Sequence, residues 1–487
     1  MEHEAFDILR TLNKKEFRDF CYFIDSPYFN RDSNISSLFA VLKNFYPHFK
    51  QKKLTDSFIM TKTGIKKKSS LRVYFLRLRD LLIEFLTFNY LEQTKLVKFI
   101  YGLDELESRN LPCIYNKQRD KCVKFFNNPN RKFETLDYLN LYQFYLVEYN
   151  MFGTLANEIK KGKYSDVVKY QNRIGTSLTY FYLLESLKDW IQVKWQNDAV
   201  SRKETTLKTF FEEGKKTEEL FRSVIKEEKN QSRRKVLRLY FLIYKCYSEN
   251  SNELEVSKNI KKLLTLINSL PSNLSQNEKE YITSVSRNAT VRFTNKICYI
   301  ELEYEINEIY LKTLSQNKNS SIPKITFSHI FFNALKDDRP AWAAKILKEY
   351  GDFIDSALYE FSRSALNFYQ CYKSANYNEA GEILLKLKTK DIYTKRHIKL
   401  LQIYLHFDME DFSFVQRLAD NLKKYIYNHS KEFSEAYIKG EYDFCNLIQH
   451  LCNYKMHPSK ELLLKLNSHD IVVRSVFIQR KIEELTG

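Results

Sequence analysis

The side chains best placed for chemistry lie between Lys50 and Asp80. Ten Lys/Arg residues there face two acids, Asp56 and Asp80, so eight of the chain's 18 excess positive charges fall in one short stretch. Lys66, Lys67 and Lys68 lead into a segment carrying Arg72, Arg77 and Arg79. On a helix, Lys68, Arg72 and Arg79 share one face, turned from the apolar face of Leu71, Phe75, Leu78 and Leu82. Such a cationic stripe could meet phosphates, releasing their counterions, or an acidic partner. Arg233, Arg234, Lys235 and Arg238 form a second candidate patch. No recognised nucleic-acid motif accompanies either patch. The abundant Tyr and Phe are better explained by packing between helices than by base stacking.

Other chemistries find little support. Cys445, His450, Cys452 and His457 are the densest group of metal-ligating types. On one helix, 445 and 452 share a face and 450 and 457 share another, about 140° away, so they cannot converge on one ion. Phosphate-cradling loops need closely spaced glycines, and no two of the ten glycines are closer than nine residues. Gly214-Lys215-Lys216-Thr217 lacks the upstream glycine of a nucleotide-binding loop. The acidic pairs Asp104-Glu105, Glu212-Glu213 and Asp337-Asp338 sit in polar stretches and are expected to be solvated, whereas catalytic carboxylates need desolvation to tune them. The sequence therefore predicts no cofactor, no metal, no small-molecule substrate and no catalytic site.

The elements that must position these residues are helices. With 10 Gly and 8 Pro in 487 residues, the chain lacks the turn formers a sheet protein needs. Phe6–Leu12 reads as a short amphipathic helix. Asn13, with Glu16 three positions on, reads as the cap of a second that buries Phe17, Phe20, Cys21 and Ile24 and stops at Ser26-Pro27. A third spans Ile35–Tyr46, and a long one runs from about Ser70 to Leu91. From Leu111, helices of 12–20 residues are expected to follow one another. Eight scattered cysteines look like reduced thiols inside helices, not a disulfide framework. The N-terminus carries no signal-peptide pattern and no run is long and apolar enough to span a bilayer, which predicts a cytoplasmic protein.

The stretch Leu12-Asn13-Lys14-Lys15-Glu16-Phe17 through Ser26-Pro27-Tyr28-Phe29-Asn30, then Leu38-Phe39 and Tyr46-Pro47-His48-Phe49, resembles the N-terminus of an uncharacterised bacterial helical family. Leu78, Leu82, Phe85 and Leu86 suit it too. The resemblance covers about the first 90 residues. It implies a helical N-terminal domain and no activity.

The C-terminal part has a period. Trp342, Tyr377 and Phe412 lie 35 residues apart, each beginning an apolar helix after a polar corner: Lys336–Arg339, Lys373–Asn376 and Asp408–Asp411. Shorter echoes occur at Lys161–Tyr164 and Lys439–Tyr442. A bundle of such helices can give spacings near 35 by chance, but the matched corners favour helix–turn–helix units whose neighbours stack to bury their faces. Asn376-Tyr377-Asn378-Glu379-Ala380 resembles the corner of a tetratricopeptide repeat, although the other copies lack that Ala. The predicted fold is all-α: an N-terminal helical domain (1–95), a helical-repeat region (96–314), a linker (315–324) and a tetratricopeptide-like α-solenoid (325–487). The function expected is a non-enzymatic scaffold for a protein or peptide partner, with nucleic-acid binding through residues 50–80 as the rival.

Overall fold

The computed structural model describes residues 3–49, 54–128, 131–158, 164–199, 211, 214–248, 253–269, 274–291, 300–316, 321–433, 435–459 and 476–486. Pro129, Lys161–Lys163, Glu212-Glu213, Pro271, Cys298 and the middle of the Ser315–Lys324 stretch lie outside these residues. Among the described residues the protein has 22 α-helices and no strand, and one isolated parallel bridge pairs Phe133 with Leu274. No helix among them is long and apolar enough to cross a membrane.

The chain divides into two compact units: Met1–Asn128 with Asn140–Ile174, and Pro129–Leu139 with Gly175–Gly487. The helices are α1 (Glu4–Thr11), α2 (Lys14–Asp25), α3 (Ser33–Leu42), α4 (Asp56–Thr63), α5 (Lys68–Gln93), α6 (Lys95–Ser108), α7 (Pro112–Phe126), α8 (Leu136–Glu158) and α9 (Tyr164–Ala199). Then come α10 (Gly214–Glu227), α11 (Gln231–Tyr247), α12 (Glu253–Asn268), α13 (Gln276–Val291) and α14 (Ile300–Ser315). The last are α15 (Lys324–Lys336), α16 (Pro340–Tyr350), α17 (Ser356–Lys373), α18 (Tyr377–Lys386), α19 (Ile392–Asp408), α20 (Phe412–Asn428), α21 (Glu435–Met456) and α22 (Val476–Thr486). At 36 residues, α9 exceeds the helix lengths expected from the sequence.

In the first unit, local sequence and packing agree. The Asn13 side chain accepts from the amides of Lys15 and Glu16, and Glu16 accepts from the Asn13 amide at 2.9 Å. This capping box satisfies donors that the start of α2 would otherwise leave open. Leu71, Phe75, Leu78, Leu82 and Phe85 of α5 are buried with Phe6, Leu9, Phe20, Ile24, Leu38 and Phe39 of α1–α3. The apolar period of α5 thus becomes the wall of a core.

In the second unit, helices pair with their chain neighbours: α11 with α12, α13 with α14, α15 with α16, α17 with α18, α19 with α20 and α20 with α21. First helices also meet across pairs, α15 packing on both α17 and α19. One apolar cluster runs from Ile300 to Ile482. Ile300, Leu311 and Leu314 belong to it together with Ile322, whose amide donates to the Phe353 carbonyl at 2.7 Å.

The three corners repeat in backbone detail. Asp338, Ala375 and Glu410 hold φ of 60°, 56° and 61°. The residue after each donates back to the preceding helix: Arg339 to Ala334, Asn376 to Cys371 and Asp411 to His406, at 2.8, 2.9 and 3.0 Å. This is the left-handed helix stop that glycine normally fills. Asn110, between α6 and α7, makes the same stop in the first unit, with φ 52°. Left-handed backbone is costly for a residue with a Cβ. Ala375→Gly is therefore expected to stabilise the second unit by about 0.5–1 kcal/mol, read as a higher urea midpoint. A lower midpoint would contradict this account of the corner.

Candidate interaction surface

The basic strip lies in the first unit. Lys66, Lys67, Lys68, Arg72 and Arg77 are exposed and Arg79 is half-buried. Half of these cations already have carboxylates. Lys68 pairs with Asp56 at 2.9 Å, Arg77 with Asp32 at 2.7 Å, and Arg79 with Glu4 and Asp80 at 2.7 and 2.8 Å. The Lys68 hydrogen bond is the main reason the Asp56 carboxyl is held below its ordinary range. Asp32 is both the N-cap of α3, accepting from the Asn34 amide, and the partner of Arg77. Among the described residues Lys66, Lys67 and Arg72 make no ion pair. Carboxylates of α1, α4, α5 and the N-cap of α3 thus neutralise part of this charge.

Arg233, Arg234, Lys235 and Arg238 belong to the second unit, on α11. Arg233 stands over the rings of Phe133 and Tyr138 at 5.3 and 5.9 Å. Arg234 donates to the Glu228 carbonyl and Lys235 to the Ser269 carbonyl, both at 2.8 Å. Arg238 is exposed. Three of the four thus brace neighbouring backbone or rings.

A third group, at the corners of the C-terminal array, was not legible as a site. The sequence reads Asp337-Asp338 as a solvated pair, and the structure corrects this. Asp337 is buried and accepts the Tyr304 hydroxyl at 2.9 Å, because the corner folds back onto α14. Asp338 accepts the Tyr369 hydroxyl at 2.7 Å and Lys373 at 2.5 Å. Asp408, two residues before the left-handed stop of the α19–α20 corner, accepts the Tyr372 hydroxyl. Onto these corners comes α22. Arg480 donates to Asp338 at 3.2 Å and Lys481 pairs with Asp408 at 3.0 Å. Phe477 stacks on Tyr404 with centroids 4.2 Å apart and meets Phe407 edge-on at 5.7 Å. Burial alone would raise the Asp338 carboxyl. Hydrogen bonds from Lys373 and Tyr369, with the charges of Lys373 and Arg480, outweigh it and hold the group below its ordinary range. The legible signal was the α22 pattern itself, with Phe477, Ile478, Lys481, Ile482 and Leu485 on one face.

Deeper in the second unit lies a polar interior. Arg396 and Glu441 form an ion pair with side chains 4% and 8% exposed, the Arg396 Nε donating at 3.0 Å. Arg396 Nη1 lies 3.3 Å from His397 Nδ1 and can only donate, so His397 is neutral. Burial first, then the charges of Arg396, His329 and Lys336, push His397 well below the ordinary histidine value. A folded histidine that refuses a proton contributes stability that is full above about pH 6.5 and is lost below it, at about 1.4 kcal/mol per pH unit until the folded form titrates. The urea midpoint is therefore expected to fall from pH 7.5 to 5.5 more steeply in the wild type than in His397→Gln. Parallel profiles would contradict this assignment.

Among the described residues no three His, Cys, Asp or Glu side chains converge as a metal site. Cys445 and Cys452 are wholly buried, and burial pushes both thiols up to about 12, which makes them inert at neutral pH. No protein-family model, no curated protein and no solved structure matches this chain.

Proposed function

We propose that this chain is a non-enzymatic helical-repeat protein that binds a protein or peptide partner. One observation carries this reading: three successive helix pairs share the same left-handed corner, and a separate helix, α22, sets Arg480 and Lys481 against two of these corners. The likeness of Asn376–Ala380 to a tetratricopeptide corner supports it, as do the left-handed stops at Asp338 and Glu410. Repeats stacked in this way make surfaces suited to gripping a helix or an extended peptide, with aromatic and charged anchors at the centre. Residence in the cytoplasm is part of the same proposal.

A second reading, nucleic-acid binding by the first unit, is favoured by exposed Lys66, Lys67 and Arg72, which lack carboxylate partners among the described residues. Fluorescence anisotropy at about 50 and 200 mM salt separates the two, because phosphate contacts weaken by orders of magnitude over this range. Labelled amphipathic peptides are expected to bind with shallow salt dependence. DNA and RNA are expected not to bind at the lower salt. Nucleic-acid binding that Lys66→Gln, Lys67→Gln and Arg72→Gln abolish would put the second reading first.

A further inference from the structure

We infer that the corner ends of α15, α17 and α19 form a seat of carboxylates and aromatic rings for an amphipathic helix that sets an aromatic ring and adjacent Arg and Lys residues against it, and that α22 is an intramolecular stand-in for such a partner. The inference rests on the scaffold reading and deepens it.

The position of α22 is the first argument. α22 packs on α21, the helix before it, and its side chains also reach beyond that helix. Here Arg480 reaches Asp338, at the α15–α16 corner, while Lys481 reaches Asp408, at the α19–α20 corner. Two neighbouring residues of α22 therefore meet two corners at once, with the hydroxyls of Tyr369 and Tyr372 beside them, each donating to one of the two carboxylates.

Charge is the second argument. The seat presents two carboxylates held by tyrosine hydroxyls, that of Asp338 shared with Lys373, and α22, formally neutral with Glu483 and Glu484 beside Arg480 and Lys481, sets its two cations against them. Lys481 and Asp408 are each only 14% exposed, so the pair is shielded from solvent and salt. The seat selects a cation placed one turn after an aromatic, the spacing of Phe477, Arg480 and Lys481. Tyr404 and Phe407 take the aromatic ring.

Length is the third. Eleven residues are too few for a helix stable by itself in water. Burial of Phe477, Ile478 and Ile482 must offset the cost of ordering the whole segment. A partner helix of the same pattern, with added anchors, would displace it.

The test uses the full chain and a labelled synthetic peptide of residues 476–486. In the opened chain, Phe477→Ala and Lys481→Glu release α22. Peptide binding to the opened chain is expected to be at least tenfold tighter than to wild type. A peptide with Arg480→Glu and Lys481→Glu is expected to lose at least tenfold, a comparison that leaves the chain untouched. Asp338→Asn with Asp408→Asn in the opened chain is expected to lose as much. An opened chain that loses its helical circular dichroism, or that binds no better than wild type, would make α22 part of the core and overturn the inference. Self-association that the peptide fails to compete away would assign the seat to a second copy and also overturn it. Preference for the charge-reversed peptide would overturn the assignment of Arg and Lys as the anchors and leave the scaffold reading standing. Failure of the parent and the charge-reversed peptides alike would remove both.

Discussion

Arg396→Met is expected to cost about 3–5 kcal/mol of stability, because it leaves the buried carboxylate of Glu441 without a counter-charge. The pair joins α19 to α21. Burial disfavours the guanidinium charge, and Glu441 more than offsets that. Arg396 also stands over the Tyr437 ring and donates toward His397. Removing both charges, as Arg396→Met with Glu441→Leu, is expected to restore most of the loss, since the desolvation of the two ions disappears with their attraction. All three tryptophans, Trp190, Trp195 and Trp342, belong to the second unit, so intrinsic fluorescence in urea reads that unit. A double variant as unstable as the single would show that Arg396 matters through its packing and not through its charge.

Phe331→Ala is expected to cost about 3–5 kcal/mol, the transfer of a large side chain plus the cavity it leaves. Phe331 is fully buried in α15. It stacks on Phe327 at 5.9 Å and meets Phe332 edge-on at 5.3 Å. The neighbours cannot collapse freely, because Phe332 is itself stacked on His397. Phe88→Ala, on an exposed ring of the first unit, is expected to change stability by less than about 0.5 kcal/mol. Equal losses at the two positions would contradict the core assigned to the second unit.

Helices were legible because they follow from local rules. Asn13 and Glu16 sit at the spacing a capping box requires, and both side chains make the bonds. The buried face of α5 follows from its period. Tyr377 and Phe412 are the first residues of α18 and α20, whereas α16 starts at Pro340, two residues before Trp342, so the repeated corner gives a spacing near 35 and not a strict one. The surface chemistry was not legible, because its partners come from distant sequence. Nothing near Arg79 announces Glu4, and nothing near Arg77 announces Asp32. Asp337 reads as solvated from its polar neighbours, and only the fold places the Tyr304 hydroxyl against it. The seat needed Asp338, Asp408 and Lys481 to meet, and no periodicity connects α22 to the corners it covers.

Amide hydrogen exchange on the intact chain tests the central claim, that α22 is a reversible occupant of the array. Amides of residues 476–486 are expected to exchange through local opening, at least about a hundredfold faster than those of Leu400–Leu405 in α19, which open only with the unit. Protection in α22 equal to that of α19 would mean that it unfolds with the core, and the seat would then be a structural contact with no ligand to exchange.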